Sequence, residues 1–126
     1  MKKILFIVLI LSLLVVMAAA CGGGGDKAAS GGDADVAAGK ALFEKTVLGS
    51  SPGCVTCHSR EPGKTIVGPS LAGIGNKSED FIRTSIIDPD ADVTEGFPVG
   101  TMPNTFKDDL SEQEIDQLVK YLMTLK

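Results

Sequence analysis

Cys54-Val55-Thr56-Cys57-His58 is the segment of this sequence best equipped to do chemistry. Two thiols separated by two residues fall on the same side of one helical turn. So placed, they can add across the two vinyl groups of a single porphyrin. The imidazole that follows at once then lies under the ring, aimed at iron. C-x-x-C-H is the attachment pattern for c-type haem, so these five residues predict one covalent haem c and a redox role.

Plainer readings of the thiol pair compete with this one. A C-x-x-C pair also serves as a redox dithiol or as half of a zinc site. Zinc needs a fourth ligand, and the chain has one His and three Cys, with Cys21 far upstream in a Gly-rich stretch. A thioredoxin-like site needs an alternating βαβ pattern, and no strand-like run is present to build one. Haem attachment is the reading that uses all five residues.

A haem iron bound to His58 has a second axial position. His58 is the only histidine, which excludes bis-His coordination within one chain. Met, Lys, Asn, Tyr or an open site remain. Of the four methionines, Met1 and Met17 lie in the leader, and Met123 has helical spacing from Val119, which suits core packing. Met102 sits in Gly100-Thr101-Met102-Pro103, where the following proline stiffens the chain. Met/His ligation is a known haem pattern. His58 and Met102 are therefore the expected axial ligands, with a gap-filling role the plain alternative for Met102.

The elements that must hold these residues are helical. Residues Asp35 to Leu48 read as a first helix, with Asp35 as N-cap and Val36, Gly39, Leu42, Phe43 and Val47 at helical spacing. Gly49-Ser50-Ser51-Pro52-Gly53 ends it just before the thiol pair. Residues Ser59 to Ile74 are loop-rich. Ser78 caps a short helix to about Ile87, with Phe81, Ile82, Ser85 and Ile86 along one side, and Asp88-Pro89 stops it. Asp90 to Leu110 is a long irregular segment of the kind that is often functional. Ser111 and Glu114 match a capping box, and Ile115, Leu118, Val119 and Leu122 then form an apolar stripe. The expected fold class is all-α, with helices and long loops around one covalently bound haem.

On these residues the chain resembles the class I monohaem cytochromes c over about Asp35 to Leu125. Gly39 and Phe43 match the family's Gly/aromatic pair on the first helix, and Tyr121-Leu122 match its partners on the last. Gly68-Pro69-Ser70-Leu71 matches the G-P-x-L segment. The resemblance implies a small cytochrome c fold and implies that the carbonyl of Pro69 orients His58. It implies haem attachment outside the cytoplasm. The stretch from Ile86 to Pro103 is also similar to cytochrome domains attached to bacterial membrane oxidases and quinol-oxidising complexes.

The N-terminal residues carry an address. Lys2 and Lys3 precede an almost wholly apolar run from Ile4 to Val16, then Ala18-Ala19-Ala20 and Cys21. This resembles a lipoprotein signal, with Ala18 standing where Leu is usual. The expected organisation is a signal peptide over 1–20, a lipidated Cys21 with a flexible linker over 21–34, and a cytochrome c domain over 35–126. Ordinary cleavage would instead leave Cys21 a free thiol. An uncleaved anchor is a third reading, although a span takes ~20 apolar residues. The Gly/Ala/Ser composition after Cys21 cannot build a core and gives a tether reaching about 20 Å.

Formal net charge is −4, and two of the basic residues, Lys2 and Lys3, belong to the leader. No basic patch is available to neutralise phosphates, so nucleic acid is excluded as a partner. Acidic residues gather at Asp88, Asp90, Asp92 and Glu95, and again at Asp108, Asp109, Glu112 and Glu114. A solvated face is the plainer reading of both groups, and a docking site for a basic partner the sharper one. The whole predicts an electron carrier, not an enzyme, lipid-anchored on the outer face of a bacterial cytoplasmic membrane. It would exchange electrons with redox proteins, such as a membrane-bound complex in a respiratory or photosynthetic chain. The alternatives are a fixed haem subunit of such a complex and a haem enzyme or gas sensor with an open iron site.

Overall fold

A computed structural model describes residues 31–126. The leader, Cys21 and most of the expected linker lie outside the described residues. Helix α1 spans Gly31–Phe43, a two-stranded hairpin pairs β1 (Val47–Leu48) with β2 (Ser51–Pro52), and α2 is the single turn Cys54–Cys57. A 3₁₀ turn follows at Ile74–Asn76, then α3 at Glu79–Ile87, α4 at Phe106–Asp109 and α5 at Glu112–Leu122. The mostly helical architecture with long loops matches the expected all-α fold class.

The frame is a crossing of α1 and α5, the most extensive contact between elements. It is close because Gly39 has no side chain: a Cβ there would collide with the Gln117 carbonyl and stand 2.9 Å from Tyr121 Cβ. Phe43, fully buried, meets Tyr121 across the crossing with ring centroids 5.5 Å apart and planes tilted by 57°, a favoured aromatic arrangement. Ile115, Leu118, Val119 and Leu122 are all buried, as the stripe predicts, and Ile82 and Ile86 of α3 join them in one core. Ser111 accepts from the Glu114 N–H while Glu114 accepts from the Ser111 N–H, so the capping box is formed. Ser78 accepts from the Phe81 N–H and starts α3 as expected.

The first helix departs from its expected bounds. It begins at Gly31, taking in residues 31–34 that the composition assigns to the tether, and it ends at Phe43. Asp35 is inside it and caps nothing; its carboxylate instead pairs with Lys120 and accepts from Gln117 across the crossing. Val47, read as part of the helical face, is 64% exposed on β1. The hairpin turns on Gly49, whose φ of 63° is a left-handed value open to glycine. Helix α4 was also outside the expected elements, because four residues carry too little periodicity to be read.

Hairpin and α4 are tied by long-range polar bonds. Asp109 accepts from the Ser50 N–H at 2.9 Å and from its hydroxyl at 2.7 Å. The Ser51 and Thr105 hydroxyls lie 2.8 Å apart. The Ser50 backbone N–H, then its hydroxyl, hold the Asp109 carboxyl below the usual carboxylate range. A depressed folded-state pKa gives stability that is present above the unfolded value, about 4, and lost as pH falls through the folded value. Asp35, held low chiefly by Lys120, and Glu114, held low by Ser111, add in the same direction. Asp109→Asn should therefore lower the melting temperature at neutral pH, and the gap to the parent protein should narrow as pH falls below about 4. A gap that stays constant across this range would show that the carboxylate is not the source.

Candidate haem site

The hairpin delivers the chain to the thiol pair. Gly53, which donates to the Thr46 carbonyl at 2.9 Å, N-caps α2. The single turn is closed by Thr56 N–H to Gly53 O at 3.0 Å and His58 N–H to Cys54 O at 2.9 Å. The Thr56 hydroxyl adds a bond to Gly53 O at 2.6 Å. Cys54, Cys57 and His58 all line one cavity of about 270 Å³.

The loop after His58 is folded back on the motif. Gly68 N–H donates to Cys57 O at 2.9 Å and Leu71 N–H to Ser59 O at 2.8 Å. Inside the loop, the Ser70 hydroxyl donates to Glu61 O at 2.6 Å. This return places the Pro69 carbonyl 2.9 Å from His58 Nδ1. A carbonyl only accepts, so Nδ1 carries the proton of this bond. In the neutral ring Nε2 is then left with its lone pair, the state a metal ligand requires. Gly68 makes the approach possible: a Cβ there would lie 2.5 Å from His58 Cε1 and 2.9 Å from Nδ1.

The remaining walls are largely apolar. Phe43, Leu118 and Leu122 reach the cavity from the crossing, and Phe81, Ile82, Ser85 and Ile86 face it from α3, the side read as one stripe. Met102 lines the same cavity, as do Val93, Phe97, Pro98 and Pro103 of the long segment. Met123 does not; it is the C-cap of α5 and packs against the core. Phe97 and Val93 were not singled out from sequence, since isolated apolar residues in an irregular segment have no period to mark them.

Arg60 was also missed. It is placed over the Phe43 ring, 5.6 Å from its centroid, and donates to the Tyr121 hydroxyl at 2.9 Å and to Glu44 at 3.0 Å. Two residues beyond His58, it ties the motif to the α1/α5 crossing. The acidic groups divide. Asp90 accepts from the Gly100 N–H, Asp109 from Ser50, Glu112 pairs with Arg83, and Glu114 caps α5. These four have internal partners.

The alternatives for the thiol pair fare poorly. Burial pushes the Cys54 thiol up to about 11, the opposite of the shift that makes a redox-active thiolate. Among the described residues no group of three or more His, Cys, Asp or Glu side chains is placed to hold a metal ion, so a zinc site lacks its ligands there. A covalent haem fits the donor set: two thiols on one turn, an imidazole with Nε2 free, a thioether, and apolar walls around them. Gly68→Ala is expected to force the imidazole off its bond to Pro69 and to cost about 1–3 kcal/mol of stability as overpacking does. Denaturant melts would read the loss, and a full-strength His58–Pro69 bond in a structure of the variant would contradict it.

The family model for cytochrome c matches residues 36–126. No curated protein matches the chain. The match begins within α1 and runs through the crossing helices, the thiol pair and the Met102 segment, so the elements that build the cavity and the family's extent coincide. The chain belongs to the cytochrome c family, and is a c-type cytochrome that binds covalent haem c and transfers electrons.

Proposed function

We propose that this chain is a class I monohaem electron carrier tethered to the outer face of a bacterial cytoplasmic membrane. His58 and Met102 are its axial iron ligands, Cys54 and Cys57 its thioether sites, and Pro69 the residue that orients His58. One observation carries the reading: the only histidine, with Nε2 freed by the bond at Nδ1, shares an apolar cavity with the thiol pair and with Met102.

Haem c supplies a one-electron iron couple. The chain's part would be to hold the His58 and Met102 side chains in place through both oxidation states, which would keep reorganisation small. The Pro69 carbonyl keeps the His58 tautomer fixed. Apolar walls and a thioether favour the less charged, reduced iron and raise the potential. If His58 and Met102 both bind the iron, no position would be left for substrate or gas, which favours transfer over catalysis. Val67 lines the cavity and is half exposed, marking a rim where a partner can approach. Encounters at such a rim are small and transient.

The tether rests on the sequence. The Lys-led apolar run, the small residues before Cys21 and the Gly-rich stretch after it support a lipidated cysteine separated from α1 by nine residues, 22–30. Such a carrier would serve a membrane-bound complex or another redox protein within reach. Oxidised protein extracted from membranes should show a sulfur-to-iron charge-transfer band, and its intact mass should report one haem, a lost leader and acyl chains on Cys21. Met102→Ala should abolish the band and lower the potential by on the order of 0.1 V or more, within the ~0.8 V that axial ligands span. Met123→Ala should do neither. A band that survives Met102→Ala would overturn the ligand assignment, and a mass with the leader retained would overturn the lipoprotein reading.

A further inference from the structure

Met102 lies in a segment with little regular structure to hold it. Among the described residues, the backbone bonds within the stretch from Asp88 to Asn104 are Ala91 N–H to Asp88 O and Phe97 N–H to Thr94 O, each closing a local turn. One bond reaches further. The Asp90 carboxylate accepts from the Gly100 N–H at 2.8 Å, ten residues along the chain and two before Met102. On the other side of Met102, Thr105 is fixed by its hydroxyl contact with Ser51. Met102 is thus bracketed by two polar anchors, with Pro103 stiffening the span between them.

Both partners of the Asp90 bond are set up for it. Asp90 follows the C-cap of α3, where Asp88 N–H donates to Thr84 O at 2.8 Å and Pro89 is buried, so its carboxylate projects from a fixed helix end. Gly100 has φ of 75°, a value L side chains rarely adopt, while a Cβ there would meet nothing within 4 Å. The glycine is needed for the backbone turn that presents its N–H to Asp90, not for space.

We propose that Asp90 is a positioning residue whose bond to Gly100 latches the Met102 segment closed and so sets how readily Met102 gives up its place to another ligand. This rests on Met102 being the axial ligand. A bond to a charged acceptor has to break before the segment swings away, and such bonds are stronger than neutral ones.

The test uses oxidised holoprotein with imidazole as the competing ligand, together with hydrogen exchange at the Gly100 amide. Asp90→Ala should speed imidazole binding about tenfold and remove protection at Gly100. Asp90→Asn keeps an acceptor oxygen and should stay within about threefold of the parent. Binding by Asp90→Ala at the parent rate, or Asp90→Asn matching Asp90→Ala, would overturn the latch. So would a Gly100 amide in the parent protein that exchanges as fast as that of exposed Val99, a readout that needs no variant to fold. A parent protein lacking the sulfur-to-iron band would overturn the ligand assignment instead, and protection at Gly100 would then support the latch alone.

Discussion

The bond between His58 Nδ1 and the Pro69 carbonyl, 2.9 Å long, decides which nitrogen of the only histidine is available. The rest of the structure can be traced from what this bond demands. The loop from Ser59 to Leu71 must return to the motif, and backbone bonds from Gly68 and Leu71 to Cys57 and Ser59 bring it there. The residue before the proline must have no side chain, because the imidazole occupies that space. The turn carrying the thiols must be rigid at both ends, and the hairpin on one side and Arg60 on the other make it so.

A second constraint is size. A domain this small buries little apolar surface of its own. Its core divides into a packed half, where Phe43, Tyr121, Ile115, Leu118 and Val119 meet at the helix crossing, and a half that is the wall of a cavity. Phe43, Leu118 and Leu122 belong to both. Covalent attachment of a flat apolar group to that wall would complete the interior, so folding and cofactor retention draw on the same residues. This is why the helices that bear no ligand are as closely fitted as the motif itself.

What could be read from the sequence was local. The thiol pair and histidine, Gly68-Pro69, the capping box at Ser111 and the stripe from Ile115 to Leu122 each declare themselves within a few residues, and each has its expected geometry. Met102 could be singled out by elimination, and the cavity does contain it while excluding Met123. What could not be read was set by partners far along the chain. The hairpin and α4 hold one another through Asp109–Ser50 and Ser51–Thr105, 59 and 54 residues apart. Asp35 resembles an N-cap until Lys120 and Gln117 arrive from the opposite helix. The acidic residues looked alike in sequence, and only folding separates Asp90, bound to Gly100, from its solvated neighbours.

His58 and Met102 are proposed to hold the iron between them. X-ray absorption at the iron of the oxidised holoprotein tests it most directly. A single sulfur scatterer is expected in the iron's first coordination shell alongside nitrogen, lost when Met102 is replaced. A shell of nitrogen and oxygen alone in the parent protein would contradict it.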